Sequence, residues 1–313
     1  GFFVFTNKEH IADVPEEGEF VRYLSTKNIQ FERFELNGVK EYGTVDEYEK
    51  LFSNAVSRPF NTVLIKDDYV EKVPIDEKGQ ELAVKERAWY KFVSERKFEN
   101  IPKLLSLEPL RLSKILGNHP FEIEPDSKIV KNIINAMHNL HSIDSPIPAN
   151  IFSLDKEYFT KTFERLWQVR NLIPYTDRKS IRVNGMECPN PFYYKDEILN
   201  LLREYYPKEF KVIHGDPTFS NTLVDNQKQV YFIDPRGYFG FTTIYGDEDY
   251  DFAKLYYSLV GNYDKFNRRK FTLKIKENEV ELEIESSGYE KYEDLFFEMI
   301  GPEKKEKIKL RRM

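Results

Sequence analysis

Cysteine is all but missing from this 313-residue chain. Cys188 stands alone, which excludes an internal disulfide and a cysteine-built zinc site and fits a reducing cytoplasm. Glycine is thin as well, at 14 residues, and neither G-x-G-x-x-G nor G-x-x-x-x-G-K-[ST] occurs anywhere. No apolar run approaches the roughly 18 residues of a membrane helix, and no secretory leader is visible, so membrane insertion is not expected. Charge of one sign is lacking too. Lys plus Arg number 47 against 53 Asp plus Glu, a net of −6, which gives no general electrostatic reason to bind nucleic acid or an anionic membrane. The single basic stretch, Lys304 to Arg312, reads as a solvated helix face rather than a binding tail. The chain opens at Gly1 without a methionine and stops inside a helical Lys/Ile/Leu pattern, which reads as a piece of a longer protein.

What is present is globular: 40% hydrophobic and 32% charged residues, in a length that can bury a large core without staples. Aromatics are plentiful, with 25 Phe and 20 Tyr, and suit deep cores or stacking pockets. Residues 1–50 hold one short apolar run, GFFVF, and then polar text, a poor core by themselves. RPFNTVLIKDDYVEKVPI, residues 58–75, reads as a β-hairpin about an Asp67-Asp68 turn. Residues 81–95 read as a helix with an apolar stripe of Leu82, Trp89 and Val93. Glu86 falls inside that stripe, and a carboxylate on a buried face is expensive unless a cation meets it or its stem lets it reach water. Further helices are expected after an Asp126 or Ser127 cap, with Ile129, Val130, Ile133, Ile134, Met137 and Leu140 inward, around 159–172, around 198–205, and from Asp251. FTLKIKENEVELEIE reads as a surface hairpin.

The chemistry is concentrated in HGDPTFSNTLVDNQKQVYFIDPRG, residues 214–237. Asp216 and Asn221 share one loop, and Asp234 ends the second arm of a hairpin whose first arm follows Asn221. Folding the arms back brings Asp234 near Asn221, so three oxygen-bearing side chains gather at one rim. Two can hold a hard cation such as Mg²⁺, which takes one or two protein oxygens and leaves the rest to phosphates and water. The third can orient a hydroxyl. His214 reads as a brace for the loop, and His138 and His141 as structural.

This loop resembles the catalytic loop of the protein-kinase-like superfamily, and its HGD opening resembles the aminoglycoside phosphotransferase and choline kinase branch. By position, the resemblance makes Asp216 the catalytic base and Asn221 and Asp234 the metal ligands. Lys72, in YVEKV, looks like the strand lysine that grips the α- and β-phosphates of ATP, and Glu86 like the helix glutamate paired with it. LHSI at 140–143 resembles the end of the long helix before the catalytic loop, and GDEDYD at 246–251 the segment in which an Asp caps a helix and braces that loop. The implied fold is α+β and two-lobed, protein-kinase-like, with a small β-rich lobe over 51–117 and a mainly helical lobe over 118–313. The implied activity is ATP- and Mg²⁺-dependent phosphorylation of a hydroxyl on a small metabolite, a sugar or an amino alcohol.

Two departures stand beside it. SNAVSRPFN, residues 53–61, has no glycine where kinases cover the phosphates, and Arg236 has no counterpart role; it is assigned to substrate, as a guanidinium for an acceptor anion or phosphate. Separately, GFFVF and EYGTVDEYEKL resemble the closing segments of a sugar-nucleotide pyrophosphorylase. That resemblance implies an adjoining nucleotidyltransferase and a place in surface polysaccharide synthesis. A non-catalytic kinase-like module and an atypical protein kinase remain as alternatives.

Overall fold

The computed structural model describes residues 5, 7–15, 20–27, 29, 30, 32, 55–57 and 60–311. The stretch at 41–51 and residues 1–4 of GFFVF, which carry the pyrophosphorylase resemblance, lie outside the described residues. Before residue 55 the chain forms a 3₁₀ turn at Lys8–Ile11 and a short helix α1 (Phe20–Ser25).

Strand β1 (Ala55–Ser57) pairs with β2 (Asn61–Ile65), and β2 turns into β3 (Tyr69–Pro74) through the expected Asp67-Asp68 turn, closed by Lys66 N–H to Tyr69 O at 2.9 Å. β-Branched Thr62, Val63, Ile65, Val70 and Val73 favour these extended arms. β4 (Leu104–Leu107) and β5 (Leu110–Ser113) complete an antiparallel sheet in the order β1-β2-β3-β5-β4. Between β3 and β4 runs α2 (Glu77–Glu95), which begins ahead of the expected 81 because Asp76 caps it, accepting from Gly79 N at 2.6 Å. A Cβ on Gly79 would lie 2.0 Å from the Phe60 carbonyl oxygen, so only glycine lets the helix start this close to β2.

After β6 (Gly117–Asn118) the chain is mainly helical. α3 (Ser127–His141) is capped by Asp126 and buries all six of its expected apolar positions. β7 (Ile147–Pro148) and α4 (Ile151–Leu154) lead into a π-helical turn, Asp155–Thr160, and α5 (Lys161–Val169). β8 (Ser180–Val183) and β9 (Met186–Pro189) form a hairpin on Asn184-Gly185, both at left-handed φ. Then come α6 (Lys195–Glu204), β10 (Glu209–Val212), β11 (Thr222–Asp225), β12 (Val230–Phe232), the short β13 (Tyr238–Phe239), β14 (Thr242–Thr243) and β15 (Tyr245–Gly246), and α7 (Glu248–Leu259). α8 (Tyr263–Asn267), the hairpin β16 (Phe271–Ile275) and β17 (Glu279–Ile284), α9 (Glu293–Ile300) and α10 (Lys305–Arg311) follow. The fold class is the expected one, α+β, with a β-rich part followed by a mainly helical part. No helix among the described residues is long and apolar enough to cross a membrane.

One core runs through both parts. Trp89, Tyr90 and Val93 of α2 share it with Ile133, Ile134 and Met137 of α3 and with Phe232, Phe252 and Tyr256. Each such side chain contributes about 1.5–3 kcal/mol on burial, enough to hold the α2 face inward with Glu86 on it once a cation meets the carboxylate.

The basic stretch at the end corrects the sequence reading. It is no solvated face: the Arg311 side chain is 1% exposed and pairs with Asp247 at 2.7 Å and Asp249 at 2.9 Å. Lys304 pairs with Asp249 at 3.0 Å, and Lys307 touches the same carboxylate. Asp247 and Asp249, buried side by side at the start of α7, are too much charge to bury alone, and Lys304, with Lys307 and Arg311 of α10, supplies the counter-charge.

Candidate functional site

The loop from Ile213 to Asn221 is held by its backbone. Asp251, fully buried on α7, accepts from His214 N–H and Gly215 N–H, each at 2.8 Å, and is met by His141 Nε2 at 3.1 Å. Asp247 caps α7, accepting from Asp249 N at 3.1 Å. Capping and bracing therefore account for Asp247 and Asp251. His214 is buried, and burial lowers its pKa, so the ring is neutral. Its partners assign the tautomer: Nε2–H donates to Ile233 O at 3.0 Å, while Nδ1 accepts from Asp216 N at 3.2 Å. The ring lies edge-on to Trp89, whose Nε1–H donates to Ile213 O at 2.7 Å. His214 is thus committed to bracing.

Asp216 stands at the loop's exposed rim with its side chain 38% accessible. Oδ2 accepts from Asn221 Nδ2 at 3.1 Å, and Oδ1 pairs with Lys254 of α7 at 3.0 Å. Asn221 Nδ2 also donates to Asp216 O at 2.9 Å, which commits the amide nitrogen and leaves Oδ1 without a protein partner among the described residues. The β11–β12 hairpin returns the chain as expected: Thr222 pairs with Phe232, and Ile233 N–H donates to Asn221 O at 2.9 Å. Asp234 follows at φ +58°, a left-handed conformation that Asp tolerates better than most residues but that still costs about 1–3 kcal/mol. The turn then passes Gly237, at φ +70°, where a Cβ would lie 2.5 Å from Lys85 O on α2. That contact seats the loop against the helix carrying Glu86.

Lys72 points from β3 into the gap. Its ammonium contacts both Glu86 and Asp234, and the side chain is 9% exposed. Burial alone would lower its pKa, but Asp234 and Glu86 outweigh burial and hold it above the ordinary lysine value. The carboxylate inside the α2 stripe has its cation. Lys72, Glu86, Asp216, Asn221 and Asp234 all line one cavity of about 370 Å³, walled by Phe60, Leu82 and Tyr238. Residues 53, 54, 58 and 59 of the glycine-free segment lie outside the described residues.

Arg236 lines this cavity and also a second one of about 250 Å³. Its Nη1 donates to Glu157 Oε1 at 2.5 Å and to the Tyr250 hydroxyl at 2.7 Å. Sequence reasoning missed Glu157, Lys161 and Lys254, which line the second cavity. Lys254 was within reach, since it sits three residues after Asp251 on the helix that braces the loop.

Among solved structures, the chain is similar to the choline kinase LicA of Streptococcus pneumoniae (14% identity, 85% of this chain and 83% of that one, TM-score 0.46). It is also similar to a type VIII aminoglycoside-3′-phosphotransferase (13% identity, 86% and 95%, TM-score 0.48). A choline/ethanolamine kinase family protein of Mesorhizobium loti is a third (16% identity, 69% and 67%, TM-score 0.42). No family model and no curated protein matches the chain. At such low identity and TM-score, the functional reading rests on the chain's own geometry.

Proposed function

We propose that the chain is an ATP- and Mg²⁺-dependent phosphotransferase acting on a hydroxyl of a small metabolite. The observation that carries this reading is the meeting of Lys72–Glu86, Asn221–Asp234 and Asp216 around one cavity, with a second cavity beyond Asp216. Lys72 would bind the α- and β-phosphates, since it is a charged ammonium already facing open space. Asn221 Oδ1 and the Asp234 carboxylate would hold Mg²⁺. Among the described residues no cluster of three or more His, Cys, Asp or Glu forms a fuller cage, which suits a cation that completes its shell with phosphate oxygens and water. When bound, Mg²⁺ would neutralise charge on the β- and γ-phosphates. Asp216 would orient the acceptor hydroxyl and take its proton, while Lys254 at 3.0 Å and the Asn221 amide keep the carboxylate aimed.

Only 16 residues separate Asp234 from Asp251, little room for a segment that seats a polypeptide, which favours a small acceptor such as a sugar or amino alcohol. A role beside a nucleotidyltransferase in polysaccharide precursor synthesis belongs to the same proposal and rests on the sequence at 1–51 alone. The Asp216→Ala protein should keep its fold and its MgATP-induced stabilisation and lose about 10²- to 10⁴-fold in acceptor-dependent ADP release. Undiminished turnover in that folded variant sinks the mechanism.

A further inference from the structure

The second cavity is unusually rich in positive charge. Lys161, Arg165, Arg236 and Lys254 line it, and Glu157 is the one carboxylate among its lining residues. Glu157 is buried and already committed: it accepts from Arg236 at 2.5 Å and from the Tyr250 hydroxyl at 2.9 Å, and it touches Lys161. Asp216, which lines the other cavity, pairs with Lys254 of this one at 3.0 Å. Arg311 reaches the wall too, but Asp247 and Asp249 absorb it. Arg165 has no carboxylate at ion-pair distance among the described residues. Four basic side chains therefore face two carboxylates. Burial, with Arg236, Lys254 and Arg165 close by, pushes the Lys161 ammonium down to about 6, its contact with Glu157 notwithstanding. The Tyr250 ring is not open to a cationic acceptor either, because Lys161, Lys254 and Arg236 already approach it at 5.8, 5.8 and 6.0 Å.

Building on the phosphotransferase reading, we propose that this cavity seats an acceptor that carries an anionic group, a carboxylate or a phosphate monoester, with its free hydroxyl toward Asp216. The class is hydroxy acids, acidic sugars and sugar phosphates, and it excludes choline-like and aminoglycoside-like cations. Arg165 and Lys161 bind the anion, and its arrival supplies the negative charge the cavity lacks. In the transfer, the acceptor oxygen bonds to the γ-phosphorus as the bond to ADP breaks, and the hydroxyl proton passes to Asp216.

The test uses the full chain with saturating MgADP, so that the nucleotide cavity is filled before any acceptor is added. Melting temperatures are compared for D-glycerate and D-glucuronate, for glucose 6-phosphate, and for glucose, choline and ethanolamine, with ADP release from MgATP measured in parallel. At least one anionic compound should stabilise the protein and be phosphorylated, the carboxylates and the sugar phosphate separating the two anion chemistries. Choline and ethanolamine should do neither. Arg165→Gln and Lys161→Gln should each raise the acceptor KM about tenfold or more, without moving the nucleotide KM. Turnover of choline or ethanolamine overturns the inference, and so does anion stabilisation that survives intact in both variants. A response to MgADP with none to any anion removes this inference and leaves the phosphotransferase reading standing. No response to MgADP removes both.

Discussion

Lys72 shows most directly how one side chain ties the site together. It sits between Glu86 and Asp234 with little access to water, so its removal takes away a cation that both carboxylates contact. Lys72→Met should cost about 3–5 kcal/mol of stability. Its pKa lies above the ordinary lysine value of 10.5 in the folded chain, so its stabilising charge is fully present below that value and lost only as pH rises through the folded pKa. Urea melts at pH 7 and 9 should therefore give the same gap between wild type and Lys72→Met; a gap that shrinks by pH 9 shows that Lys72 is not held charged. Half of this pairing was legible in the residues themselves, because a Glu inside an apolar stripe demands a cation or a route to water; the choice of Lys72 over Lys66 came from the family resemblance. Lys161 and Glu157 were not legible. Glu157 lies within a π-helical turn and Lys161 directly follows it, the register shift there spoils a helical period, and no motif spacing marks either residue.

Elements with a strong apolar period were read correctly, and their ends and partners less so. The inward residues of α3 followed from spacing alone, while α2 began early because its first turn, EKGQ, is polar and announces itself only through the Asp76 cap. The β8–β9 hairpin carried an Asn-Gly signal that the reading passed over. α10 shows a deeper limit. Its basic residues look solvated because the carboxylates they meet lie far away in sequence, Arg311 and Asp249 being 62 residues apart. Arg311→Met would leave Asp247 buried at the cap of α7 with only the Tyr158 hydroxyl and the Asp249 N–H, while Asp249 keeps Lys304 and Lys307; α7 is the helix whose Asp251 holds the backbone of the loop at His214 and Gly215. We expect a loss of about 3–5 kcal/mol in urea unfolding, whereas a solvated face would change by about 0.5 kcal/mol or less. Because α7 also presents Lys254, the folded variant should turn over more slowly as well.

Across the whole molecule, the resemblance carried by the loop and its upstream partners implied the α+β class, but not the sheet β16-β17-β8-β9, whose parallel pairing sets Glu279 beside Arg182 across a long stretch of chain. The two parts meet at α2. Its inner face joins the common core, Trp89 bonds the backbone just before the loop, and Glu86 reaches Lys72 on the sheet, which reaches Asp234 on the far side. A ligand held by Lys72 on one side and by Asn221 and Asp234 on the other would bind only the assembled arrangement, and binding to the native state alone stabilises by mass action. At 100 times its dissociation constant, MgATP should add about 2.7 kcal/mol, which for a chain of this size is a rise of about 4 °C in melting temperature. Chelating the metal should shrink that rise, and so should Asn221→Ala, which removes a proposed ligand while leaving Lys72 and Glu86 paired. A rise that is undiminished by both changes would show that nucleotide binds without the Asn221–Asp234 metal site. The assignment of those two residues as metal ligands would then fall even with ATP in the cavity.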